Sequence, residues 1–267
     1  MTMTLISSHS NPKIKQARAL RQRKQRDASG LFIVEGLFHI GEALAARATI
    51  DSIFYAPNLI ESDFAHQLIE RASADGVTCY ETTAEILASL AEKENPQGVI
   101  AVVQQRRVQL ADLSPQTFPW GVAIVSPQDP GNVGTILRTI DAVGASGLIL
   151  LDSSVDPYHP TAVRASLGSI CWYPMVFASF VEWAQWAKQQ GYHIYGTSSK
   201  GSVDYQEVTA YEQPLFILLG SEREGLSREQ GAMCDLLIRL PMRGHASSLN
   251  LAVAAGVVLY AVLEKLK

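Results

Sequence analysis

Cysteine is scarce in this 267-residue sequence: Cys79, Cys171 and Cys234 stand far apart, none in a pair. That spacing excludes a redox dithiol and a cysteine-rich zinc site, and it fits a reduced, cytoplasmic setting without a bound metal. The opening "MTMTLISSHSNPKIKQ" has no apolar signal core, and the longest apolar run, Leu251 to Leu263, is shorter than the about 20 residues a bilayer-spanning helix takes. Export and membrane anchoring are therefore not expected. No internal repeat or low-complexity tract is present, and no strand-like run leads into the glycine spacing of a dinucleotide or P-loop site. A chain of this length, 47% hydrophobic, can bury one large core or two smaller ones.

Charge is modest in total but uneven. Residues 1–30 hold seven basic side chains against Asp27 alone, a net +6, whereas residues 31–118 carry −7 and residues 119–267 carry −3. A cationic arm on an acidic protein points to a localised polyanion contact. Within it, "NPKIKQARALRQRKQRDASG" reads as one helix from near Pro12 to before Gly30, with Ile14, Ala17 and Leu20 on one face and basic residues elsewhere. The runs "LFIVEG", "SIFYA", "VTCYE" and "VIAVVQQ" then alternate with helical patterns, which indicates a first α/β domain over 1–105.

Pro115, Pro119 and Gly121 break the pattern, so 106–118 is expected to be a linker and 119–267 a second domain. Its short β-type runs, "VAIV", "LILLD", "HIYGTS", "LFILLG" and "LIRLP", are mostly separated by helical stretches, as in a largely parallel sheet that binds ligands beyond its strand carboxyl ends.

Three loops in this half carry chemistry. In "SPQDPGNVGTILRTIDAVGA", residues 126–145, Val133, Ile136, Leu137 and Ile140 form the apolar face of a helix, while Gly134 and Arg138 stack four apart on the open face. A planar cation above a glycine suits a phosphate or a developing oxyanion. An ordinary surface or dimer-contact salt bridge would also account for Arg138, and Asn132 could simply cap the helix. In "LFILLGSEREGLS", residues 215–227, an apolar strand stops at Gly220 and charges follow at once; Glu222 is either a ligand anchor or a carboxylate at a helix start. In "LPMRGHASSLNLAVAAGVVLY", residues 240–260, Pro241 and Gly244 impose an irregular loop. Ser247 or Ser248 can cap the closely packing helix that follows, and Ser248 and Asn250 are placed to bind a ligand or hold Glu222. His245 is assigned no role.

Taken together and in order, "NVGTILRT", "LLGSEREGLS" and "LPMRGHASSLNLAVA" resemble the three motifs of the SpoU/TrmH family of RNA ribose 2′-O-methyltransferases, within the SPOUT superfamily. The N-terminal part, with "NPKIKQARALRQRK" and "LFIVEG", is similar to the small substrate-binding domain, related to ribosomal RNA-binding proteins, that precedes the catalytic domain in many members.

The resemblance implies a deep trefoil knot near the C-terminus, S-adenosyl-L-methionine as cofactor, and a homodimer with the active site at its interface. By motif position, the cofactor would meet Gly220, Leu240 and Leu249, with Thr197 and Met242 nearby. Arg138 would serve a cofactor held by the other subunit and stabilise the oxyanion. Asn132 would orient the ribose or that arginine, Glu222 would anchor the site, and Ser248 and Asn250 would hold the knot loop.

Arg138 is a poor general base because guanidinium stays protonated in proteins. Lys13, Lys15, Arg18, Arg21, Arg23 and Lys24 would grip RNA phosphates, and ribosomal RNA is expected in preference to transfer RNA. The alternatives are a non-enzymatic RNA-binding protein and a SPOUT enzyme that methylates a base nitrogen.

Overall fold

The computed structural model describes residues 4–91 and 98–267. In chain order the elements begin with β1 (Thr4–Ile6), α1 (Pro12–Ala19), α2 (Arg23–Ser29), β2 (Leu31–Glu35), α3 (Leu37–Ala45), β3 (Ile50–Tyr55), α4 (Asp63–Ala74), β4 (Thr78–Thr82), α5 (Ala84–Leu90) and β5 (Val99–Gln104). There follow β6 (Arg107–Val108), β7 (Trp120–Val125), α6 (Pro130–Val143), β8 (Gly147–Leu151), α7 (Pro160–Ala165), α8 (Ser169–Trp172), β9 (Met175–Ala178) and α9 (Phe180–Gln189). The chain ends with β10 (His193–Thr197), β11 (Val203–Asp204), β12 (Leu215–Leu219), α10 (Arg228–Ala232), β13 (Leu236–Arg239) and α11 (Leu251–Lys265). No helix among the described residues is long and apolar enough to cross a membrane.

Two compact units emerge, and their division differs from the expected one. The first comprises residues up to Gln105 together with Asp156–Trp172; the second comprises Arg106–Val155 and Tyr173–Lys267. Residues 106–118 are therefore not a linker. β6 pairs in parallel with β9, Phe118 is buried, and its carbonyl accepts the Tyr192 hydroxyl at 2.9 Å. Segment 156–172, expected in the catalytic half, instead packs in the first unit, where Tyr158 meets the Phe32 ring at 4.8 Å and the Trp172 indole donates to Glu42 at 2.9 Å.

The first unit is built on a mixed sheet in the order β1-β4-β3-β5-β2. Ile14, Ala17 and Leu20 bury the apolar face of α1 among Phe54, Ile86, Leu87, Leu90, Ile100 and Val102. The single basic helix expected here is two: α1 stops at Leu20, and α2 restarts after Gln22. No glycine or proline marks that break. Its cause lies in Arg26, whose Nη1 donates to the carbonyls of Leu20 and Arg21 at 2.6 and 2.8 Å and so satisfies acceptors that a continuous helix would have used.

The second unit has an eight-stranded sheet, β11-β13-β10-β12-β7-β8-β9-β6, and every pairing in it is parallel. β7, β8 and β12 are buried at every position, as continuous apolar runs covered on both faces should be. Because all strands run the same way, the loops after β7, β10, β12 and β13 leave from one edge of four neighbouring strands. The three motif loops and the "GTSSK" turn are brought together there.

Candidate active site

The loop after β7 is set by the start of α6. Asp129 is the N-cap, its carboxylate accepting the amides of Gly131 at 2.6 Å and Asn132 at 3.2 Å, and Pro130 occupies the first turn, where no amide is needed. Asn132 therefore does not cap the helix. The apolar positions Val133, Ile136, Leu137 and Ile140 are fully buried, and α6 ends on Gly144 in the left-handed region at φ 72°.

After β12 the chain makes a tight loop in which Ser221 and Gly225 exchange backbone hydrogen bonds at 3.0 and 3.2 Å. Glycine is required at both ends. A Cβ on Gly220 would lie 2.2 Å from the Gly225 carbonyl carbon, and Gly225 has φ +67°. The loop projects Glu222 at the start of α6. Its carboxylate accepts the amide of Gln128 at 3.1 and 3.2 Å, the amide of Asp129 at 3.3 Å and Nδ2 of Asn132 at 3.2 Å. Converging N–H donors and the positive end of the helix dipole both favour the carboxylate there.

The loop after β13 closes the set. Asn250, not Ser247 or Ser248, is the N-cap of α11, with Oδ1 accepting the amides of Ala252 at 2.9 Å and Val253 at 3.2 Å. Its Nδ2 donates to Oδ1 of Asn132 at 2.9 Å. Glu222, Asn132 and Asn250 thus form one hydrogen-bonded chain across the three motif loops. Asn132 is buried and spends both ends of its amide on protein groups.

Beside this chain lies a cavity of about 380 Å³. Thr197, Gly220, Leu240, Met242 and Leu249, the five positions expected to meet the cofactor, all line it, as do Glu222 and Ser248. Lys200 and Arg223 add positive charge to the lining and Glu224 negative charge; Lys200 lies outside the three motifs. Leu226, Ile238 and Leu251 extend its apolar wall. The volume falls in the range of about 300–1,000 Å³ common for small-ligand sites, and a lining that joins an apolar wall to loop serines and charges fits a nucleoside carrying an amino-acid chain.

Arg138 lies outside that lining, on an exposed position of α6. Among the described residues no side chain pairs with it, and no group of His, Cys, Asp or Glu is placed to hold a metal. α6 packs against α11, and α11 leaves Val253, Val257, Tyr260 and Leu263 exposed at helical spacing, Tyr260 by 54%.

The expected RNA-contact residues divide into two groups. Lys15, Arg23 and Lys24 are exposed, Arg23 sharing a 3.5 Å pair with Asp27, and Lys13 is half-buried. Arg18 and Arg21 are turned to structural work as well: Arg18 donates to the Ser89 hydroxyl at 2.8 Å and Arg21 donates to the Ala91 carbonyl.

A parallel α/β unit with a cavity at its strand carboxyl edge, bordered by three hydrogen-bonded loops, has the layout of a small-ligand site. The chain belongs to the SpoU rRNA methylase family, whose model matches residues 119–260, and residues 11–101 match the MRM3-like substrate binding domain. It is 30% identical to the 23S rRNA (guanosine(2553)-2′-O)-methyltransferase RlmP of Bacillus subtilis, with 97% of this chain and 98% of that protein aligned. It is 32% identical to the 23S rRNA (uridine(2479)-2′-O)-methyltransferase of Streptomyces viridochromogenes, over 96% of this chain and 90% of that one. Among solved structures, the AdoMet-bound rRNA methyltransferase from Sinorhizobium meliloti superposes with a TM-score of 0.88 at 35% identity, covering 97% of each chain.

Proposed function

We propose that this protein transfers a methyl group from S-adenosyl-L-methionine to a ribose 2′-hydroxyl of ribosomal RNA, and that it does so in the cytoplasm as a homodimer. The observation that carries the reading is the Glu222–Asn132–Asn250 chain, which ties the three motif loops together beside the cavity. Full-length likeness to two ribosomal RNA 2′-O-methyltransferases supports the substrate class. Three free, partly buried cysteines suit a reducing compartment.

Thr197, Gly220, Leu240, Met242 and Leu249 would hold the cofactor, which supplies an electrophilic methyl group on its sulfonium. The remaining work falls to the protein. Glu222 fixes the Gln128–Asp129 backbone and Asn132, so the start of α6 has one position against the cavity. Asn132 and Asn250 act as positioning residues, and Ser248 lines the cavity wall.

A ribose hydroxyl is a weak nucleophile, and it attacks only if aligned and relieved of its proton as the bond forms. Arg138 supplies that help as a donor: its guanidinium holds the hydroxyl and an adjacent phosphate and stabilises the developing oxyanion, while water or the phosphate takes the proton.

Arg138 does not line the cavity of its own chain, which supports delivery to the cavity of a second copy. The exposed apolar stripe of α11, on the helix that packs with α6, supplies a self-complementary surface for a two-fold dimer. The motif order also supports a trefoil knot formed by the chain around β12, β13 and the loop that leads into α11.

The test is transfer of labelled methyl from the cofactor into unmodified ribosomal RNA, followed by nuclease digestion and mass spectrometry. A 2′-O-methylated nucleotide is expected. Label on a base nitrogen, or RNA binding without cofactor uptake, overturns the reading.

A further inference from the structure

Among the described residues of the first unit, the large hydrophobic side chains left exposed are Leu5 and three aromatic rings: Phe38 and Phe64 at 56% each and Trp172 at 43%. The fold gathers the rings. Phe38, Gly41 and Glu42 share one side of α3, three and four residues apart. α4 brings Phe64 onto that side, its Cζ 3.8 Å from where a Cβ on Gly41 would sit. α8 brings Trp172, whose indole N–H donates to the Glu42 carboxylate at 2.9 Å. The polar edge of the indole is thus spent on the protein, and what remains exposed is ring.

Cations border these rings. His39 lies edge-on to Phe38, with ring centres 5.8 Å apart, and donates through Nε2 to the Arg164 carbonyl at 3.4 Å, which ties α7 to α3. Arg164 is exposed, with no carboxylate within ion-pair distance among the described residues. His39 and Arg164 also line a cavity whose lining includes Leu20 and Arg21, where α1 gives way to α2. At about 30 Å³ it holds about one water molecule, so a nucleotide would lie across it and not inside it. A continuous strip therefore runs from the basic arm, past Arg164, to the three rings.

We propose that this strip binds unpaired nucleotides of the RNA substrate, with bases stacked on Phe38, Phe64 and Trp172 and phosphates held by Arg164 and the arm. The proposal rests on the ribosomal RNA reading above. The positive charge beside the rings selects a polyanion, and the rings select bases whose faces are free. A duplex satisfies only the first condition, because its bases are stacked on one another. Every base has a face, so the strip reads strandedness and not sequence. Arg164 and Trp172 lie outside residues 11–101, which match the substrate binding domain, so the later segment 156–172 would contribute to RNA recognition as well.

The experiment uses the full-length protein with an unstructured RNA of about 12 nucleotides and a perfect duplex of the same length. Phe38→Leu, Phe64→Leu protein keeps apolar bulk and loses both rings. Its single-strand affinity should fall by about tenfold or more, while duplex affinity stays within about twofold of wild type. No charge changes, so the slope of log affinity against log salt should match that of the wild type. The wild type supplies a second readout that needs no substitution. Trp120 and Trp183 are buried and Trp186 packs against the core of the second unit, so quenching of tryptophan emission reports chiefly on Trp172. The single strand should quench it and the duplex should not, and the quenching should vanish in Trp172→Leu protein.

Single-strand affinity unchanged in the folded double variant overturns the proposal, as does equal quenching by strand and duplex. Self-association of the wild type that is lost in Phe38→Asp, Phe64→Asp protein, with RNA affinity intact, would overturn it in favour of a second copy on this face. A wild type that binds neither RNA counts instead against the ribosomal RNA reading.

Discussion

Asn250 and Asn132, 118 residues apart, are joined by a 2.9 Å hydrogen bond from Nδ2 of the first to Oδ1 of the second. Each residue also belongs to a helix start: Asn250 caps α11, and Asn132 lies in the first turn of α6, whose cap is Asp129. The bond therefore couples two helix termini, and through Asn132 it reaches Glu222.

Replacing Asn250 by serine separates its two tasks, because serine keeps an N-cap but is too short to reach Asn132. The expected cost in urea unfolding is about 1–3 kcal/mol, since buried Asn132 is left with an unpaired oxygen. Asn132→Ala should cost a similar amount, and the double variant less than the sum of the singles by about 0.5–3 kcal/mol, because the two share one interaction. Strict additivity would show that the bond does not bear on stability. S-adenosylhomocysteine affinity should fall in all three variants.

Arg138→Ala tests the proposed contribution of one protomer to the other's site. Methyl transfer should fall by about 10²–10³, the loss typical of removing an oxyanion donor, with S-adenosylhomocysteine affinity unchanged. Mixing it with a Leu249→Asp chain, whose own cavity is spoiled, should restore activity, since the mixed dimer joins an intact cavity to an intact Arg138. No restoration on mixing would place the arginine in its own chain's site. A Val257→Asp, Tyr260→Asp protein, which charges the α11 stripe, should sediment as a monomer and be inactive.

Much of the catalytic unit is readable in the sequence because its signals are local. The 3.6-residue period of Val133, Ile136, Leu137 and Ile140 requires no tertiary knowledge, and each of these residues is buried. Continuous apolar runs such as "LFILLG" mark strands covered on both faces, and β12 is one. The clustering of Glu222 with Asn132 and Asn250 is legible only through motif order; nothing in the spacing shows that two asparagines 118 residues apart share a bond.

The features that escape a sequence reading are long-range or too short to have a period. β6 has two residues, and its partner β9 lies beyond two other strands in the chain, so 106–118 looks like a linker. The assignment of 156–172 to the first unit depends on Asp156 meeting Arg26, 130 residues away, and on ring contact between Tyr158 and Phe32. Arg26 itself looks in the sequence like any other basic residue of the arm.

The same division predicts how the arm responds to salt. Lys15→Ala, Lys24→Ala should weaken RNA binding and lower the slope of log affinity against log salt by about 0.7–0.9 for each phosphate that the arm no longer neutralises, without altering the unfolding midpoint. Arg18→Ala and Arg21→Ala should lower that midpoint as well, because Ser89 and the Ala91 carbonyl lose their donors. Filter binding over a salt series, with urea unfolding in parallel, separates the two classes. A midpoint unchanged by Arg18→Ala would mean that its hydrogen bond to Ser89 contributes nothing.

The cysteines and buried tyrosines predict the behaviour at alkaline pH. Burial pushes the Cys171 thiol up to about 12, aided by nearby Glu42, and the Cys234 thiol up to about 12, aided by Asp235. Tyr173, Tyr192 and Tyr211 are likewise held at about 12, chiefly by burial, with the Asp141 carboxylate accepting the Tyr173 hydroxyl at 3.0 Å. In the unfolded chain these groups lose their protons near about 8.5 for cysteine and about 10 for tyrosine. The folded protein then binds more protons than the unfolded one above those values, so stability is fully present below about pH 8.5 and declines as pH climbs toward 12. The urea midpoint should therefore fall between pH 8 and pH 10.5, and it should fall less in a Cys171→Ala, Cys234→Ala protein. At pH 8 both thiols should react with iodoacetamide far more slowly than a free cysteine, because the thiolate is the nucleophile and almost none is present. Rapid alkylation of Cys234 in the folded protein would contradict the packing of its sulfur against the core and β10, where a Cβ on Gly196 would come within 2.5 Å of it.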